Sequence, residues 1–175
     1  MHLRNLTCPV LLALTLCGAA VAQPQCTTDT VRGTWAFAEL GWTVPLGSGL
    51  TAVASPSTVI GVASIEYSGR MTGSGTFVSG TGITGTPIPA GEPIDFTFQG
   101  TVEITPDCTG VLRYSLTVMG QSIPGQFIER FYHSLQRDEM VSMSIQSPLS
   151  KPLWIGKYTR LGRTPASIAW PVISR

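Results

Sequence analysis

Residues 127–133 combine titratable and aromatic side chains at the two-residue spacing of a β-strand. One face of this stretch carries Phe127, Glu129, Phe131 and His133. The opposite face carries Arg130, so a charged group points inward whichever face is buried. An unpaired buried charge costs several kcal/mol, and such a group is therefore paired or borders a cavity. The pattern predicts a general acid or base, Glu129 or His133, whose pKa is shifted by burial.

The same stretch also has a purely structural interpretation. Its charges would then lie at a rim or on the surface, with Arg130 paired to a neighbouring strand. Glu129 and His133 are four residues apart, about 13 Å along a strand, so they cannot bond each other and need other partners. The sequence leaves both interpretations open.

Glu39 raises a similar question in an earlier stretch. It shares one face with Trp35 and Phe37, while alanines occupy the opposite face. If the aromatic face points inward, Glu39 is a second acid at a cavity, and Trp35 and Phe37 contact a ligand together with Phe127 and Phe131. If the alanines face the core, the aromatic side chains form an outer interaction patch. The pattern does not choose between the two faces.

Other chemistries find little support. Residues 80–85 spell G-x-G-x-x-G, but Pro87 and Pro89 follow at once, so no helix can begin there to hold a pyrophosphate. His133 is the only histidine after position 2, and no hydrolase elbow or metal-ligand motif occurs. We therefore expect neither a cofactor nor a metal site. With eleven Lys and Arg against ten Asp and Glu, nucleic acid is not an expected partner.

The elements that position these residues are predicted to be strands. Runs rich in Val, Ile, Thr, Phe and Tyr alternate with Gly, Pro and Ser. We predict eight strands, at residues 33–44, 57–67, 70–79, 94–105, 111–119, 125–133, 140–146 and 154–160. Such spacing is typical of an all-β antiparallel meander, and eight strands can close a β-barrel. A β-sandwich is the alternative. Loops at 45–56 and 80–93 are natural places for a binding mouth.

The ends of the chain indicate export. Arg4, an apolar run at 10–16 and the sequence Ala-Val-Ala before Gln23 predict a signal peptide at residues 1–22, cleaved after Ala22. A single barrel domain would follow at 23–161, with an extended tail at 162–175. No stretch is long and apolar enough for a transmembrane helix. In a periplasm or outside the cell, Cys26 and Cys108 should form a disulfide.

Several segments carry a resemblance to known proteins. They are Cys26 with VRGTW at 31–35, IEYSG at 65–69, FQGTV at 98–102 and PDCTG at 106–110. Together they resemble a group of small exported bacterial β-proteins to which no chemistry is assigned. The predicted architecture is similar to that of the allene oxide cyclase and lipocalin-like barrels. That resemblance implies an interior that binds or cyclises apolar molecules, and it identifies no site residue here.

Three functions follow as hypotheses. The first is a secreted protein that binds a small apolar ligand inside the barrel. The second is an enzyme of the cyclase or isomerase type that uses Glu129, Glu39 or His133. The third is a surface interaction protein with a filled core, suggested by a basic C-terminal segment that contains Trp170. The ligand, the oligomeric state and the presence of any enzymatic activity are not determined by the sequence.

Overall fold

The computed structural model describes residues 25–45, 54–80 and 89–166. The predicted signal peptide at 1–22 lies outside these residues, as do residues 167–175 of the predicted tail and parts of both predicted mouth loops. The described chain contains a short helix, α1 (Thr28–Val31), and nine strands. The strands are β1 (Gly33–Pro45), β2 (Ser55–Ile65), β3 (Arg70–Ser79), β4 (Ile94–Ile104), β5 (Thr109–Val118), β6 (Gln121–Ser122), β7 (Phe127–Ser134), β8 (Glu139–Gln146) and β9 (Ser150–Gly162).

Eight of the strands close into an antiparallel barrel. Each pairs with its neighbour along the chain, from β1 through β5 and from β7 through β9. The β5–β7 and β1–β9 pairings complete the ring, and β6 adds two residues beside β5. The predicted barrel is thereby confirmed and the β-sandwich alternative is excluded. Neither α1 nor β6 is predicted by the sequence pattern, because each is too short to show a period.

Alternation along the strands builds the core. In β4 the side chains of Ile94, Phe96, Phe98 and Val102 point into the barrel and are buried. The polar residues between them face solvent, as a strand with one buried face requires. On β1 the aromatic face points inward, so Trp35, Phe37 and Glu39 are buried. The orientation that the sequence left open is thus the one that places Glu39 in the interior.

The two ends of the barrel differ. At one, which we call the closed end, the disulfide between Cys26 and Cys108 joins the segment before α1 to the turn between β4 and β5. Arg160 of β9 donates hydrogen bonds to the carbonyl oxygens of Thr30 and Arg32, which fix α1 against this end. At the other, the open end, β1, β3, β5 and β8 finish. The segments predicted as a binding mouth connect strand ends at this open end.

Candidate functional site

A cavity of about 90 Å³ occupies the open half of the barrel. Its lining is mostly aromatic and aliphatic: Phe37, Val59, Phe77, Ile94, Phe96, Phe98, Tyr114, Leu116, Val118, Phe127, Leu149, Trp154 and Tyr158, with Glu39, Ser144 and Ser147 as the remaining members. Of the four aromatic residues predicted to contact a ligand, Phe37 and Phe127 line this cavity. Trp35 and Phe131 are buried nearer the closed end and do not line it.

The aromatic side chains of the cavity contact one another in pairs. Phe37 stacks on Tyr158 with ring centroids 5.3 Å apart, and Tyr114 stacks on Phe127 at 5.4 Å. Toward the mouth, Phe77 and Trp154 lie 5.7 Å apart. Such offset and tilted pairs stabilise one another beyond simple burial, so these rings hold the wall in place without a ligand.

Beneath the apolar wall lies a polar floor made of Glu39, Glu129, Tyr114 and Tyr158. The hydroxyl of Tyr158 is 2.9 Å from Oε1 of Glu39 and 3.3 Å from Oε2 of Glu129. Tyr114 donates a hydrogen bond to the other oxygen of Glu129. Two buried carboxyl groups are therefore linked through one phenol, and only Glu39 of the two carboxyls lines the cavity.

Burial governs the protonation of this floor. It raises the pKa of Glu39 well above the usual range, the charge of Glu129 raises it further, and the hydrogen bond from Tyr158 opposes both effects. Burial also raises the pKa of Glu129, against the hydrogen bonds that this carboxylate accepts. The pKa values of both phenols rise as well, so the tyrosines stay protonated as donors. The floor retains a proton at pH values where an exposed glutamate has lost it.

Strand register explains how these groups meet. Glu39 on β1 lies opposite Gly156 on β9. A Cβ atom at position 156 would lie 2.8 Å from Cγ of Glu39 and 2.6 Å from Oγ of Ser142. A glycine is therefore required for Glu39 to turn into the barrel at this height. Glu129 lies on β7, where it is opposite Leu112 of β5 and Ser144 of β8.

His133 does not belong to this constellation. It is buried at the closed end, where its ring meets Trp35 edge to face at 5.7 Å and its Nδ1 atom is 4.0 Å from Sγ of Cys26. Burial lowers its pKa, and the nearby charge of Arg160 lowers it further, which favours the neutral ring. Of the three predicted titratable residues, the structure brings Glu39 and Glu129 together and keeps His133 apart.

The two tyrosines are functional candidates that the sequence analysis did not identify. Both occupy inward positions of strands that were predicted, so their alternation pattern was available. Tyr158 follows Glu39 by 119 residues, however, and only the closure of the barrel brings the two side chains together. A pairing at that separation leaves no local signal in one sequence.

Within 25–45, 54–80 and 89–166, no group of three or more His, Cys, Asp or Glu side chains is arranged to hold a metal ion. The same residues include no helix with the length and hydropathy to cross a membrane. Comparisons with protein-family models, with curated proteins and with solved structures find no significant match to this chain. Beyond the barrel itself, the resemblance to exported bacterial proteins and to particular barrel families stays a prediction.

Proposed function

We propose that this protein is an exported binding protein for a small molecule with an apolar body and an uncharged or cationic polar end. The apolar body would lie among the rings of the cavity, and the polar end would reach Glu39. The observation that carries the proposal is the cavity itself, an aromatic chamber with one carboxyl group in its lining. The disulfide supports export, because disulfides persist mainly in oxidising compartments.

The size of the cavity limits what enters it completely. A dry apolar cavity of about 150 Å³ accommodates a benzene molecule. At about 90 Å³, the chamber here takes a smaller group, such as a short alkyl chain. A larger ligand would insert one end and leave the remainder at the mouth beside Phe77 and Trp154. The presence of the cavity favours a protein that binds a ligand in its interior over a surface interaction protein with a filled core.

The charge of the polar floor limits which chemical groups the ligand can carry at its polar end. The residues described as lining the cavity include Glu39 but no Lys, Arg or His. An anionic end, such as the carboxylate of a fatty acid, would meet Glu39 and Glu129 in a medium of low dielectric without a counter-ion. A hydroxyl or amide can bond the floor without adding charge, and an ammonium group would neutralise it. We therefore expect alcohols, amides or amines rather than carboxylic acids.

The same floor supports a second candidate, an enzyme of the isomerase or cyclase type. Glu39, which retains its proton, would donate it at one position of the bound molecule, and the resulting carboxylate, hydrogen-bonded by Tyr158, would take a proton from a second position, so that Glu39 ends the cycle protonated again. The distances of 2.9 Å and 3.3 Å from the Tyr158 hydroxyl favour this idea. Loss of turnover in Glu39→Gln with retained binding would distinguish the enzyme from the binding protein.

The proposal is tested by titration calorimetry with three probes of equal chain length, hexan-1-ol, hexylamine and hexanoate. We expect the alcohol and the amine to bind at least about tenfold more tightly than the carboxylate. Val59→Trp fills the cavity and should abolish binding of all three. The matched control, Ile60→Trp, changes the neighbouring residue, which faces solvent with 62% of its surface exposed, and should retain binding. The proposal is wrong if neither the alcohol nor the amine binds, if hexanoate binds as tightly as they do, or if Val59→Trp binds like the wild type.

A natural ligand can be sought directly. Mass spectrometry of the protein purified from its native source under non-denaturing conditions would reveal mass beyond the oxidised polypeptide. Organic extraction should release that mass if the interior holds an apolar molecule. The recovered compound should carry a hydroxyl, amide or amine at one end, and an acid in its place would contradict the electrostatic argument.

A further inference from the structure

The outside of the barrel carries a continuous apolar area that the proposed function does not use. Where β8, β9 and β1 pair side by side, six large apolar side chains point to solvent, and we call them the outer apolar face: Leu40, Trp42, Met143, Ile145, Leu153 and Ile155. Their exposed fractions range from 42% to 68%. On a surface that meets only water, these outward positions of a sheet would normally be polar.

The register of the strands makes these side chains neighbours. Leu40 of β1 lies opposite Ile155 of β9, and Ile155 in turn lies opposite Met143 of β8. Trp42 lies opposite Leu153 in the next outward row. The face is therefore one patch that crosses three strands, rather than a scatter of single exposed residues.

The area of the patch is large for a monomer. Its six side chains expose on the order of 600 Å² of apolar surface, the upper end of the largest patch on a typical monomeric protein. Ile60 and Val141, at its margins, are exposed by 62% and 50%. With them the face approaches the roughly 800 Å² that each partner contributes to an interface of standard size.

One cation at the margin of the face is paired within the chain. Lys157 lies between Ala38 and Val141 in the paired strands and forms an ion pair of 2.8 Å with Glu139. None of the six residues of the face is charged, so two copies can meet there without burying an unpaired ion. The eight strands of the ring pair with one another on both sides, which favours face-to-face packing over edge pairing as the route to association.

We propose that the outer apolar face binds a second copy of this chain. A patch that packs on its own equivalent about a two-fold axis forms the commonest kind of protein dimer, and it requires no complementary charge pattern. Ile155 lies at the centre of the contact, flanked by Leu40 and Met143. The interior cavity stays open in such a dimer, because the face lies on the outer wall.

Size-exclusion chromatography with light scattering tests the proposal on the purified protein over a range of concentrations. We expect the wild type to show twice the mass of one chain at high concentration. Ile155→Lys and Leu40→Lys each place a charge at the centre of the face and should raise the dissociation constant at least about tenfold. Tyr67→Lys is the matched control, since Tyr67 is a similarly exposed aromatic residue, at 72%, in the turn between β2 and β3.

Because the substituted positions are exposed, the variants should fold, and circular dichroism and thermal unfolding verify this before the masses are compared. A wild type that is monomeric at the highest concentration would overturn the proposal. This holds whether the face is then exposed to solvent or covered by residues 167–175 of the same chain. Association that is equally strong in Ile155→Lys and Leu40→Lys would also overturn it. An equal loss in Tyr67→Lys would show that the effect is not specific to this face.

Discussion

Tyr158 carries one hydroxyl proton and lies between two carboxyl groups, 2.9 Å from Glu39 and 3.3 Å from Glu129. It can donate that proton to only one of them at a time. The second contact becomes a hydrogen bond when the other carboxyl is protonated and donates to the phenol oxygen. The geometry therefore favours one ionised and one protonated glutamate, a pair that titrates as a unit.

The first prediction concerns the pH dependence of stability. Because burial raises the pKa of Glu39 above its value in the unfolded chain, the folded protein binds more protons than the unfolded chain between those two values. The free energy of unfolding therefore falls as the pH rises through that interval. In Glu39→Gln this loss is absent. We expect the variant to gain stability relative to the wild type as the pH rises through that interval, and to be no more stable than the wild type at pH 4.

Urea unfolding followed by fluorescence at several pH values measures the effect. Glu66→Gln is the control, since Glu66 is exposed in the turn that follows β2, and its profile should run parallel to that of the wild type. A Glu39→Gln profile that also runs parallel to the wild type would show that Glu39 does not hold an additional proton in the folded state.

At the scale of secondary-structure elements, much of the fold is predictable from the sequence because each strand carries its own period. The eight strands of the ring follow from alternation and from Gly and Pro punctuation, and β4 shows the inward set directly. The candidate site is only half predictable. Alternation places Glu39 and Glu129 on particular faces, but the meeting of Glu39 with Tyr158 depends on the pairing of the first and last strands of the ring. Local patterns do not specify that long-range register.

The second prediction concerns how β9 holds α1. The guanidinium of Arg160 lies 4.5 Å above the ring of Trp35 and donates hydrogen bonds to two carbonyl oxygens at the end of α1. Arg160→Met keeps an unbranched apolar side chain but removes the guanidinium, so the two partly buried carbonyl oxygens lose their donor. We expect the free energy of unfolding to fall by about 2 to 4 kcal/mol in urea unfolding experiments.

Arg163→Met provides the comparison for Arg160. Both arginines contact Asp138, but the side chain of Arg163 is 71% exposed and that of Arg160 only 4%. An exposed ion pair contributes little, so this variant should lose less than about 0.5 kcal/mol. Equal losses in the two variants would mean that the ion pair with Asp138, rather than the attachment of α1, accounts for the effect of Arg160.

At the scale of the whole molecule, the two ends of the barrel differ in structure: one is held by a disulfide cross-link and the other contains the cavity. The closed end contains the disulfide, α1 and His133, and Trp35 contacts both the ring of His133 and the carbonyl oxygen of Val31 in α1. The open end contains the cavity, and the polar floor lies between the two regions. Local stability is not uniform within a fold, so the contacts of the closed end can stabilise the barrel while the open end contains a cavity. This division predicts that stability can be reduced at the closed end without a change at the cavity.

The disulfide offers the clearest test of that division. Cys26 and Cys108 are 82 residues apart, and in the chain-entropy account a link across such a loop stabilises the folded state by about 4.5 kcal/mol. Replacing both cysteines by serine should lower the free energy of unfolding by about this amount, as should chemical reduction of the wild type. At a temperature where the variant is fully folded, its calorimetric affinity for hexan-1-ol should stay within about twofold of the wild type. If the affinity falls together with the stability, the cavity depends on the closed end and the two ends act as one unit.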